Sequence, residues 1–125
     1  MDLYALAGPL VRSFSPERAH DLTIWALERG LGGSRSGVQD PRLTIVVAGI
    51  AFPNPVGLAA GFDKNARVFG PMLQQGFGYV EIGSVTPKPQ PGNPKPRVFR
   101  VPSERAAINR LGFNTEGVRA VAERL

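Results

Sequence analysis

Apolar residues recur at helical spacing over residues 1 to 29 and contract to short, strand-like runs after residue 42. Leu3, Leu6, Ala7, Leu10 and Phe14 predict a first helix, which Gly8-Pro9 should kink or shorten. Ser15 is a good N-cap for a second, with Pro16 in the first helical position and Glu17 against the positive end of the dipole. That helix continues through ERAHDLTIWALER and stops at Gly30. Its apolar residues (Ala19, Leu22, Ile24, Trp25, Ala26, Leu27) cover more than one face, so the pair needs a surface to lie on.

GLGGSRSGVQDP, residues 30 to 41, reads as a Gly/Ser-rich linker and a domain boundary. LTIVVAGIAF, broken by Gly49, predicts a small hairpin. The rest alternates: a strand over 56–60, a helix over 66–75 despite Pro71, and a strand over 79–85. RVFR, residues 97 to 100, reads as a short strand with one buried side, and Asn114 as the cap of a last helix carrying Val118, Val121, Ala122 and Leu125. Strand, helix, strand at this spacing is the βαβ unit of a parallel sheet, whose ligands sit at the carboxyl ends of the strands. The expected organisation is a helical domain over 1–29, a linker over 30–42, and the start of an α/β barrel over 43–125. Because the pattern holds about two βα units, against roughly 250 residues for a closed eight-fold barrel, the expectation is an N-terminal portion of a larger enzyme.

Composition narrows the classes. The chain has 125 residues, 42% of them hydrophobic, with a mean hydropathy of -0.08, as for an ordinary globular protein. With no cysteine and one histidine, thiolate chemistry is excluded within these residues and a metal cage is not expected. A net charge of +5 favours acidic partners, but the arginines are spread along the chain, so a solvated basic surface is preferred to nucleic-acid binding. No apolar run approaches the roughly 18 residues of a spanning helix, and Asp2 speaks against a secretory leader.

Three stretches carry candidate chemistry. In AAGFDKN, residues 59 to 65, small residues permit close approach to a flat ligand and Lys64 offers a positive charge; a turn with a local Asp63–Lys64 surface pair reads equally well. EIGSVTPKPQPGNPKPRVFRVP, residues 81 to 102, is a stiff proline-rich excursion over one end of the sheet, or else a linker, against which RVFR argues. INRLGFN, residues 108 to 114, places the amide of Asn109 where a ring edge could be held, beside Gly112 and Phe113, or is a bland turn. No GxGxxG or Walker loop occurs.

NPVGLAAGFDKN, GFGYVEIGSVTPKPQPGNPKPRVFR and INRLGFN, in this order and with SPERAH ahead of them, resemble the class 2 dihydroorotate dehydrogenases. These are membrane-associated, quinone-linked enzymes of pyrimidine synthesis. The resemblance covers nearly the whole chain, most weakly over 30–42. It implies an FMN-containing (β/α)₈ barrel, a TIM barrel, behind a small two-helix domain, and oxidation of dihydroorotate to orotate with electrons passed to a membrane quinone.

By the same resemblance Ala60, Gly61, Phe62, Asp63, Lys64 and Ser84 line the FMN. Lys64, Asn109, Arg110, Leu111, Gly112 and Phe113 hold the substrate, while His20 and Arg100 belong to a quinone tunnel. The family's catalytic base is a serine expected beyond Leu125, matched by neither Ser84 nor Ser103, so no catalytic residue is expected here and the fragment alone should be inactive. The implied location is peripheral, on the cytoplasmic side of the inner membrane. The alternatives are a soluble-class FMN barrel and a non-enzymatic basic module for a membrane surface.

Overall fold

The computed structural model describes residues 3–33 and 40–125, with side chains from residue 8 onward. Residues 34–39 of the expected linker therefore lie outside the described residues.

Helix α1 (Leu3–Ser13) runs through Pro9 rather than ending there. A single proline removes one amide from the ladder, and the turns on either side continue. Helix α2 (Pro16–Glu28) begins where the sequence places it, but the Ser15 hydroxyl makes no capping bond. The Ser15 carbonyl instead accepts the Ala19 amide at 2.9 Å, the first bond of the helix.

Strands β1 (Ile45–Val47) and β2 (Ile50–Phe52) form the expected hairpin. Ala48 and Gly49 both adopt positive φ, 51° and 80°, which gives the turn the twist its strands require. Strands β3 (Gly57–Leu58) and β4 (Tyr79–Val80) pair in parallel across helix α3 (Phe69–Gln74). This is the βαβ unit, with each element shorter than the sequence predicts. Ala66 is left-handed, at φ 53°, and the Asp63 carboxylate takes the amides of Arg67 and Val68. That turn occupies the residues expected to open the helix, so α3 starts at Phe69. After Val80 the backbone leaves the ladder, because the described residues offer β4 no partner beyond Leu58.

Strand β5 (Val98–Val101) confirms a strand at RVFR but not its burial. Val98 and Val101 are half-buried, Phe99 and Arg100 face outward, and Arg97 just before the strand is buried. Its partner, β6 (Ala106–Asn109), was not expected; it pairs antiparallel with β5, Val98 opposite Asn109. A 3₁₀ turn at Pro102–Glu104 and left-handed Arg105 reverse the chain between them. Helix α4 (Val118–Ala122) is capped in position by Gly117, at φ 86°, and not by Asn114.

The core gathers Ile24 and Leu27 of α2 with Val68 and Met72, and Leu58, Phe62, Phe77 and Val80 pack against it. Helix α2 thus finds its surface on the βαβ unit. Leu22 and Trp25, on the far side of α2, remain 43% exposed.

Candidate active site at the strand ends

Beyond β3 the chain turns sharply at Gly61 (φ 108°), where an added Cβ would meet open space. Beyond β4 the corresponding turn is Gly83 (φ 111°), whose amide donates to the Asp63 carbonyl at 3.1 Å. The two loops are therefore fastened side by side at the carboxyl ends of the parallel pair. The third wall comes from the segment after β6. Gly112 and Gly92 both have φ of 73°, and a Cβ on Gly92 would lie 2.2 Å from the Leu111 carbonyl. Such closeness requires glycine.

Between these walls lies a hollow of about 270 Å³, lined by Ala60, Gly61, Lys64, Gly83, Ser84, Asn109, Leu111, Gly112, Phe113 and Asn114. Beside it, under α2, is a cleft of about 290 Å³ that includes Glu17, His20, Phe62, Asp63 and Arg97. Lys64, Asn109, Leu111 and Asn114 line both. Most residues assigned to cofactor and substrate by sequence therefore meet here. Arg110 and Arg100 line neither space. Arg110 donates to the Pro96 carbonyl at 3.1 Å, and Arg100 donates to the carbonyls of Arg12 and Phe14, each at 2.8 Å.

The alternative reading of AAGFDKN, a surface pair of Asp63 with Lys64, is not what these residues form. The Asp63 carboxylate is buried and accepts the amides of Arg67 at 2.8 Å and Val68 at 2.7 Å. Lys64 turns the other way and its ammonium donates to the Gly61 carbonyl. Burial pulls this ammonium below the ordinary lysine value; the Glu17 carboxylate opposes that and the Arg97 guanidinium adds to it. His20 stands edge-on to Phe62, ring centroids 5.3 Å apart. Burial, then Lys64, lowers its pKa from the usual 6.5, so the ring is neutral at pH 7. The Oδ1 of Asn114 is buried without a hydrogen-bond donor among the described residues.

Arg97 and Glu17 were missed as site residues. Arg97 Nε donates to Glu17 Oε1 at 3.0 Å, while Nη1 donates to the carbonyls of Pro91 and Asn93. The available signal was the arginine opening RVFR, read only as a strand flank.

Residues 42–125 match the family model described as dihydroorotate dehydrogenase. The chain belongs to that family. It is 60% identical over 112 residues to the dihydroorotate dehydrogenase (quinone) of Sinorhizobium medicae, covering 90% of this chain and 31% of the relative. Identity to the protein of the same name from Azorhizobium caulinodans is 56% over 118 residues, 94% of this chain and 33% of the relative. Among solved structures, DHODH from Eimeria tenella in complex with ferulenol superposes with a TM-score of 0.84 at 48% identity. That match covers 88% of this chain and 29% of the other. The chain thus spans about a third of the length of the curated relatives it matches, and the likeness to a member of the family supports an α/β dihydroorotate dehydrogenase fold.

The hollow fits one edge of a flavin. At Gly61 the backbone is open to close approach, and the lining adds the Ser84 hydroxyl, the Lys64 ammonium and the amides of Asn109 and Asn114.

Proposed function

We propose that the chain forms the first part of a (β/α)₈ dihydroorotate dehydrogenase of the quinone-linked class, oxidising dihydroorotate to orotate. The observation that carries this is the wall of Lys64, Asn109, Leu111 and Asn114 common to both spaces. One site can thereby serve two reactants in turn.

In this reading Ala60, Gly61, Phe62, Asp63 and Ser84 line FMN, Asp63 through the turn it holds. When bound, FMN supplies the two-electron acceptor that neither substrate nor side chains provide. Lys64 holds the substrate carboxylate, and its charge also favours electron density arriving at the cofactor edge. Asn109 orients the ring through its amide, and the turn of Arg110, Leu111, Gly112 and Phe113 closes over it. His20 borders the second space, where an apolar quinone docks; Arg100 holds the helical pair in place beside it. A proton acceptor is left to residues outside these 125, so the chain alone binds FMN weakly and does not turn over.

In the same reading the protein sits peripherally on the cytoplasmic side of the inner membrane, and the exposed apolar residues of the helical pair support contact with a membrane surface. Leu10 is 65% exposed, and Phe14, Leu22 and Trp25 are exposed as well, apolar groups suited to the acyl boundary. No helix among the described residues is long and apolar enough to cross a membrane. A basic surface module alone would leave the glycine-walled hollow without a use.

The test is anaerobic mixing of dihydroorotate with an enzyme of the relatives' full length that begins with these residues. Bleaching of the bound flavin, and its recovery on adding quinone, is expected. A protein that binds no flavin, or whose flavin does not respond to dihydroorotate, removes the reading.

A further inference from the structure

An ion pair ties each end of α2 to the rest of the chain. At the C-terminal end Arg67 meets Glu28 at 2.7 Å, the side chains 39% and 30% exposed. At the N-terminal end Arg97 meets Glu17 at 3.0 Å, and there the exposures are only 7% and 19%. The second pair is held on both sides. The Nη1 of Arg97 donates to Pro91 O at 2.6 Å and Asn93 O at 3.0 Å, which fixes the guanidinium to the proline-rich segment. Lys95 reaches the same Glu17 oxygen at 3.5 Å.

We propose that Glu17 and Arg97 form a clasp setting the width of the cleft between α2 and the proline-rich segment, and so the fit of the apolar electron acceptor. Both are positioning residues. Both line the 290 Å³ cleft beside His20 and neither lines the 270 Å³ hollow, though both also act on the charge of Lys64 in the wall common to the two spaces. The sparse exposure of the clasp leaves it less screened than Glu28–Arg67. Loss of the Glu17 charge leaves the guanidinium facing only neutral acceptors, and the tie between α2 and the segment it faces is weakened. The proposal rests on the quinone-linked reading above.

The test uses an enzyme of the relatives' full length beginning with these residues, with Glu17→Gln compared with Glu28→Gln. Decylubiquinone serves as acceptor. Glu17→Gln is expected to raise the KM for the quinone at least about threefold, and by more than it slows flavin bleaching by dihydroorotate, the signature of lost acceptor binding. Glu28→Gln should leave both where they were. Amide exchange over residues 19–23, the first amides of α2 that are bonded within the helix, should quicken in the first variant alone, a readout independent of turnover. If Glu17→Gln does not retain flavin, Glu17→Asp, which withdraws the charge by one methylene, is read the same way. An unmoved KM, an equal rise in both Gln variants, or a matching loss in the dihydroorotate half overturns the clasp. Failure of the unsubstituted enzyme to bleach with dihydroorotate would instead remove the underlying reading.

Discussion

The carboxylate of Asp63 accepts the amide of Val68 at 2.7 Å, and the two side chains are the most deeply buried large ones among the described residues. A residue that reads as half of a surface ion pair is thus a peg for the turn that presents Lys64. Asp63→Ala would leave the Arg67 and Val68 amides without their acceptor, Val68 in the core. Stability should fall by about 2–4 kcal/mol, two charge-assisted hydrogen bonds partly compensated by water at Arg67. Chemical denaturation of the full-length enzyme checks this; a loss under about 1 kcal/mol would deny Asp63 the role.

Lys64→Ala should slow flavin reduction by dihydroorotate about ten- to a hundredfold, the cost of one charge-assisted contact made to substrate and developing charge. Anaerobic stopped-flow at the flavin absorbance measures it. An unchanged rate at every dihydroorotate concentration would take Lys64 out of the site.

His20 predicts a pH dependence with a definite sign. Burial, and then Lys64, disfavours its charged form, so its folded pKa lies below the usual 6.5. The unfolded chain therefore binds more protons than the folded one as pH falls through 6.5, and stability is lost there on acidification. Glu28 and Asp40 are shifted below their ordinary 4.5 and 3.8, so their own losses lie in more acidic solution. Melting curves from pH 7.5 to 5 should fall for the unsubstituted protein and flatten in His20→Gln. Equal slopes in the two would show that the ring is not the titrating group.

Arg100 donates to the last carbonyls of α1 and the turn before α2. Replacing the exposed Leu22 and Trp25 by serine, which leaves the Ile24 and Leu27 core untouched, should spare flavin reduction by dihydroorotate while slowing reoxidation by long-tailed quinone. Arg100→Ala should show a milder form of the same split. Following the two halves separately decides it: equal damage to both, with flavin retained, argues against a quinone route past the helices.

Gly92 tests the third wall. Alanine there would be strained at φ 73° and would drive its Cβ against the Leu111 carbonyl. Gly92→Ala should cost about 1–3 kcal/mol and weaken orotate binding, read by titration of the flavin spectrum. Orotate affinity equal to that of the unsubstituted enzyme would mean that the loop is not part of the binding geometry.

The sequence by itself determined the α2 start at Pro16, the β1–β2 hairpin, the strand–helix–strand order and the three stretches that carry chemistry. Each is written locally: proline and glycine restrict φ, β-branched runs favour strands, and small residues beside Lys64 are legible at short range. Tertiary structure alone decided which residues meet. β6 is four residues of modest strand propensity, AAIN, and exists because β5 lies opposite. The burial of Asp63 depends on amides four and five residues away in a turn whose shape Ala66 and the core set together. Arg97 and Glu17 are 80 residues apart, and no local pattern relates a helix's first turn to a loop brought over it by the packing of Ile24 and Leu27 on Val68 and Met72. Side-chain propensities act over a few residues, whereas ion pairs and cavities belong to the folded surface, so the motifs were readable in advance and their meeting place was not.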